Sequence, residues 1–367
     1  MMKTISHRAL ALAVALTCAA SLAAAQPSPT PPPASHAPGG ATPVGPPLAQ
    51  PPLPPAPPGT FTQSVKGAEE RAEEAPESRW QAALNQLDAD LRLRLLTASG
   101  PPTAWLAGEM DATDIESQVR HYTDARTSAP QERLYQASLA TACLVRVRPQ
   151  LAPCEAVDRL ADWARRDADN GVPSVLLADR ARQRGEPDSA ASNVEAAAAA
   201  PRFDDYWSQG ALHWWNYLQP LSIDVDSAVK AKAAANYASE RELPWTSPLR
   251  ALCADPGGRS DRMKSACAVL GIAMMTRGAT FALRMAGARI AETNAADTTA
   301  RAAARSRHAR IIEATARCAQ AKPDFATEFE SPTASIRARG VEQFGAWASA
   351  QARDGEVAAC ERLVAAK

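Results

Sequence analysis

Beyond residue 76 the apolar residues recur at three- and four-residue steps, and no segment alternates apolar with polar side chains over the length of a strand. That pattern restricts this part of the chain to helices. Trp80, Leu84, Leu87, Leu91 and Leu95 draw one stripe along a helix over 77–97, wide enough to bury against a neighbour. Gly100-Pro101-Pro102 then ends it, because proline supplies no amide to the helix ladder. The same reasoning gives helices over 113–127, 131–148, 154–167, 173–184, 187–200 and 203–218. After Pro220 it gives helices over 225–240, 248–254, 261–276, 280–293, 298–319, 332–352 and 355–366. Proline or glycine stands at most of the joins. The expected fold class is all-α.

The residues before this helical part obey a different rule. Lys3 and Arg8 precede an apolar run from Ala9 to Leu22 and a small-residue site at Ala23-Ala24-Ala25, so residues 1–25 are expected to be a secretory signal peptide. Cys18 offers lipid attachment as an alternative, but Thr17 before it is not the small residue such a site prefers. Residues 26–59 hold half of the chain's 30 prolines, which favours an extended, solvated backbone. With the acidic stretch that follows, residues 26–76 form an expected disordered linker. No later run reaches the roughly 18 apolar residues of a membrane span, and "ACAVLGIAMM" (266–275) reads as a buried helix. An exported protein is expected, periplasmic or secreted.

Charge excludes more than it identifies. Without Lys3 and Arg8, 38 basic side chains face 40 acidic ones, a balance that creates no field for nucleic acid or anionic lipid. The basic stretch with Arg301, Arg305, Arg307, Arg310 and Arg317 reads as a solvated helix face, with no aromatic residues interleaved to stack on bases.

Laid over one another at a shift of 34 residues, "PCEAVDRLADWARRDADN" and "PDSAASNVEAAAAAPRFD" match Pro153 with Pro187, Ala156 with Ala190, Leu160 with Val194 and Ala164 with Ala198. Recurrent spacing of small and large apolar positions is what stacked helical hairpins require, since no single hairpin buries its apolar side alone. The unit resembles the tetratricopeptide repeat. Leu177-Ala178 stand where that family places a leucine and a small residue in its first helix, and Gly185 stands at the turn between helices. Ala190 is the close-contact alanine of the second helix, Val194 its large apolar residue and Ala197 the next small one; Ser174 and Ala181 replace the family's tryptophan and tyrosine. The resemblance covers one full unit and a partial one over 134–170. It implies an α-solenoid of stacked hairpins over 77–219, followed by a C-terminal helical region over 220–367. The stretch from Cys267 to Glu292 is also similar to uncharacterised exported bacterial proteins with tetratricopeptide-like N-terminal halves.

Export makes the cysteines disulfide candidates. Six remain after residue 25, and 15 pairings are formally open. In an antiparallel helix pair, residues equidistant from the turn face each other. Cys143 and Cys154 flank one such turn and Cys253 and Cys267 another, which leaves Cys318 to pair with Cys360. No Cys or His spacing fits a metal ligand set, and no cofactor motif is present.

Reaction signatures are equally sparse. Ser227 and Lys230 have the SxxK spacing of penicillin-recognising enzymes, without the Lys-Thr-Gly strand that such chemistry needs, so the match reads as coincidence. Asp167, Asp169 and Gly171 share part of a calcium-loop spacing, but Ala178 stands where the loop's last glutamate belongs. Glu109, Asp111 and Asp114 read as an acidic helix N-terminus, and Asp224 or Asp226 as a helix cap. "RFDDYWSQGALHWWNYLQP" concentrates six aromatic residues. On one helix, Phe203, Trp207, Trp214 and Leu218 share a core-facing side, while Tyr206, His213 and Tyr217 point elsewhere. The expected function is a non-enzymatic scaffold that binds a peptide or protein partner, with Tyr206, His213 and Tyr217 as the candidate contacts. The competing expectation is a cell-envelope hydrolase or lytic enzyme on the same α-superhelix.

Overall fold

The computed structural model describes residues 76–366, apart from 98, 112–113, 146–150, 156–157, 242 and 255–258. The expected signal peptide and all but the last residue of the expected linker lie outside the described residues. Residues 76–367 form one compact unit. The fold is all-α. Among the described residues the only β-like pairing is two single bridges, Asn170 with Arg202 and Phe203 with Gly278.

The leucine stripe forms α1 (Pro76–Thr97), with Leu87, Leu91 and Leu95 buried. The following prolines do more than stop it. Gly100 turns the chain at φ 114°, and Pro101 and Pro102 open a further helix, α2 (Pro101–Met110). A helix's first turn has no use for its amide hydrogens, so proline is at home there. Trp105 and Leu106 of α2 are completely buried. Asp114 then caps α3 (Ile115–Ser128) by accepting from the Ser117 amide at 3.2 Å, and α4 (Arg133–Val145) follows.

The helix expected over 154–167 is broken into α5 (Ala152–Glu155) and α6 (Arg159–Arg166). Asp158 breaks it. Its carboxylate caps α6 at the Ala161 amide, 3.1 Å away, and grips the Arg180 guanidinium at 2.7 and 2.8 Å. The hairpin α7 (Gly171–Gln183) and α8 (Pro187–Ala199) lies where the periodicity put it, with Gly185 at φ 75° in the turn. The remaining helices are α9 (Trp207–Leu218), α10 (Ser227–Glu240), α11 (Thr246–Cys253), α12 (Asp261–Arg277) and α13 (Phe281–Thr293). After them come α14 (Thr298–Ala321), α15 (Phe325–Phe329), α16 (Ala334–Asp354) and α17 (Glu356–Ala365). Asp226, not Asp224, caps α10, at the Ala228 amide. Ser227 and Lys230 do not meet, because the Lys230 ammonium donates to the Leu221 carbonyl.

Two residues 34 apart meet where the α6–α7 loop adjoins the α8–α9 loop. Asn170 and Asp204 bond each other: the Asp204 amide donates to Asn170 Oδ1 at 3.0 Å, and Asn170 Nδ2 to the Asp204 carbonyl at 2.8 Å. The loops stack further, from Ala279 N to Phe203 O at 2.9 Å and from Val357 N to Ala279 O at 3.2 Å. The helix pair against α7–α8 is not the next in sequence, however. α11 packs on α7 and α12 on α8, while α9 and α10 turn aside to pack on α16.

All three expected disulfides form. Cα atoms lie 5.5 Å apart in Cys143–Cys154, 5.6 Å in Cys253–Cys267 and 5.5 Å in Cys318–Cys360. The first ties α4 to α5, the second ties the end of α11 to α12, and the third ties α17 to α14.

Candidate functional site

Polar chemistry gathers where the α6–α7 loop meets the α8–α9 loop. Asp167 is completely buried at the end of α6. Its carboxylate accepts from Trp163 Nε1 at 3.1 Å, Asn170 Nδ2 at 2.9 Å and the Tyr206 hydroxyl at 2.6 Å, and it pairs with Arg202 and Arg133. A buried carboxylate persists only with such partners. The accepting positions of Asp167 are thus occupied by protein donors, and no group of three or more candidate metal ligands occurs among the described residues. Arg202 is the hub. It also donates to Asp169 at 3.0 Å, Tyr206 at 2.9 Å and Asp204 at 3.4 Å.

This network relocates Tyr206. It was expected on a wet helix face, but α9 starts one residue later. Tyr206 stands before it in the left-handed region at φ 59°, buried, with its hydroxyl locked between Arg202 and Asp167. Burial, reinforced by the Asp167 charge, pushes its phenol well above the ordinary tyrosine range. Phe203 likewise belongs to the buried loop rather than to α9. His213 is half-buried, its ring 5.5 Å from Trp105 and 5.6 Å from Tyr135, and burial lowers its pKa. Tyr217 is half-buried against the core. The three candidate contacts therefore do not line an open groove together. Trp214 is core as expected, whereas Trp207 stands half-exposed.

Two adjacent carboxylates follow Arg202. Asp204 accepts from the Tyr206 amide at 2.9 Å, and burial, then the neighbouring Asp205 charge, raises it to about 6. Asp205 is held by Trp245 Nε1 at 3.0 Å and by the Trp207 amide at 3.2 Å. Of the earlier acidic trio, expected at a helix N-terminus, Asp114 stands there as the cap of α3. Glu109 instead ends α2, accepting from Tyr122 at 2.8 Å and pairing with Arg241 at 3.1 Å. These carboxylates hold loops and helix ends in place.

Open surface lies elsewhere. Between α8 and α12 runs a shallow cleft of about 340 Å³, floored by Ala198, Ala199 and Ala266 and walled by Val269. Arg262 and Glu195 close one end with two bonds of 2.8 Å. Val269 and Ile272 of α12 are 53% and 46% exposed. The run 266–275, expected as a buried helix, is buried except on this one face. The signal for its open face was there: a helix apolar on every side leaves apolar groups in water unless neighbours surround it. A second cleft, of about 250 Å³, lies beside the Cys143–Cys154 bridge with Arg159, Arg180 and Arg184 in its wall. No known protein family, no curated protein and no solved structure matches the chain.

Proposed function

We propose that the chain is an exported helical scaffold whose α8–α12 cleft holds an extended segment of a protein partner. The observation that carries this reading is Val269, left in water beside Ala198, Ala199 and Ala266 and near a bidentate ion pair, with Ile272 also exposed one turn further along α12. Burying such a side chain stabilises by about 1.5–3 kcal/mol, so a covering partner gains from both. Export is supported by three disulfides, which persist in oxidising compartments. Among the described residues no helix is long and apolar enough to cross a membrane. The rival hydrolase reading draws on Asp204, raised as a proton donor must be, but Tyr206, Arg202 and Gln209 already occupy that carboxylate. Asp204 lines neither cleft described above.

The test is capture of partners from the exported fraction by the full chain, with the captured proteins identified. V269D/I272D should lose a partner that the wild type retains, while Leu93→Asp, charged at an apolar site 66% exposed on α1, should keep it. Identical capture by all three chains would remove the cleft from consideration.

A further inference from the structure

α14 runs for 24 residues, and only Ala304, Cys318 and Ala321 along it are fully buried. Its arginines, 301, 305, 307, 310 and 317, are all exposed, and Glu313 is the sole acid between Thr298 and Ala321. Arg305 pairs with Glu292 of α13 at 2.8 Å, and Arg310 donates to Ser306 at 3.0 Å. Arg301, Arg307 and Arg317 make no ion pair with any described residue.

Helical geometry arranges these charges. At 100° per residue, Arg301 and Arg305 lie along one edge of the outer face, and Arg310 and Arg317, two turns apart, along the other. Between the edges stand Ala302, Ser306, Ala309, Glu313 and Ala316, all exposed. Arg301, Arg310 and Arg317, without an ion pair to any described residue, and Arg305, paired with Glu292, thus border a low ridge. The matching surface is long, narrow and acidic. A guanidinium engages carboxylates through parallel hydrogen bonds. The alanines let another helix approach to the usual interaxial distance of about 8–10 Å. Other occupants fit less well. A second copy of α14 would set arginine against arginine. A lipid surface needs bulky apolar groups to insert, and Ile312 is α14's lone exposed one. Nucleic acid would find no aromatic ring here to stack on.

We propose that the outer face of α14 binds an acidic amphipathic helix of a partner protein. This surface is separate from the α8–α12 cleft and does not depend on it. The probe is a fluorescent 21-residue helical peptide with Glu bordering an Ala/Leu stripe, beside a twin with Lys in place of Glu. Both are titrated against the full-length, disulfide-bonded chain by anisotropy. The Glu peptide should bind at about 0.02 M salt and weaken steeply by about 0.5 M, whereas the Lys twin should not bind. R310E/R317E should weaken binding by roughly tenfold or more, since like charges then face each other. Both residues are exposed, so its melting curve should match the wild type. Arg250→Glu, at an exposed position on α11, should bind normally. Failure of the Glu peptide to bind, equal binding by R310E/R317E, or equal weakening by Arg250→Glu would each overturn the proposal. So would capture of anionic vesicles or single-stranded DNA in the peptide's place. V269D/I272D should bind the peptide unchanged, which separates this surface from the cleft.

Discussion

Asp204 sits among the Arg202 guanidinium, the Tyr206 amide, the Gln209 amide and the adjacent Asp205 carboxylate, and it is mostly withdrawn from water. Its folded-state pKa of about 6 lies above the value of about 3.9 of an unfolded aspartate. The folded chain therefore keeps a proton that the unfolded chain releases. Stability contributed by that proton is present below pH ~3.9 and is lost as pH rises through ~6, to a limit of about 3 kcal/mol. Asn cannot titrate, so Asp204→Asn should gain stability relative to the wild type between pH 4.5 and pH 7.5. Glu356, which burial also raises, titrates in both chains, whereas the substitution removes a like charge from beside Asp205 and so moves the difference in the same direction. Paired melting curves across that range decide it. A wild-type-minus-variant difference that stays flat would mean that Arg202 already neutralises Asp204. At this scale the sequence misled most where backbone conformation intervened. Nothing in "RFDDYW" announces that Tyr206 takes a left-handed conformation, and that one residue turns an expected surface ring into a buried hydrogen-bond donor.

At the scale of elements, helix existence was legible and helix interruption was not. The α7–α8 hairpin needed only its apolar spacing and Gly185. Asp158 caps α6 through the local Ala161 amide, but its second partner, Arg180, is distant in sequence and invisible to any local window. α2 is hidden in the sequence because Pro101-Pro102 reads as a stop, while in the fold the prolines also occupy a helix start. The α12–α13 contact was hidden in the same way. Gly271 and Gly287 face each other's helices so closely that a Cβ on Gly271 would lie 2.4 Å from the Ala291 amide nitrogen. A Cβ on Gly287 would lie 2.5 Å from that of Met275. Backbone cannot swing aside as a side chain can. Alanine usually favours a helix over glycine by about 1 kcal/mol, but here overpacking of about 1–3 kcal/mol should outweigh that. Gly271→Ala and Gly287→Ala should each lower the melting temperature. A rise in either would mean that the two helices part without loss.

For the whole molecule, the three bridges divide the work of holding the unit together unequally. Cys143–Cys154 and Cys253–Cys267 join cysteines 11 and 14 residues apart, whereas Cys318–Cys360 joins cysteines 42 apart. A cross-link stabilises chiefly by restricting the unfolded chain, and the effect grows with the logarithm of the loop it closes. That relation gives about 3 kcal/mol for each short loop and about 4 kcal/mol for the long one. Packing points the same way. α17 is a helix of ten residues whose Val357, Ala359 and Cys360 are buried, and its bridge anchors it to the largely exposed α14. Without that bridge α17 has a small apolar face and a short length with which to stay docked. C318S/C360S should therefore lower stability more than C143S/C154S or C253S/C267S. It should also speed hydrogen exchange first in α17 and the last turn of α14. The measurements are denaturant midpoints for the three double variants and exchange mass spectrometry on the first. Equal losses for all three pairs would place the effect in the folded state rather than in loop closure. Unchanged exchange in α17 would show that packing alone keeps it in place.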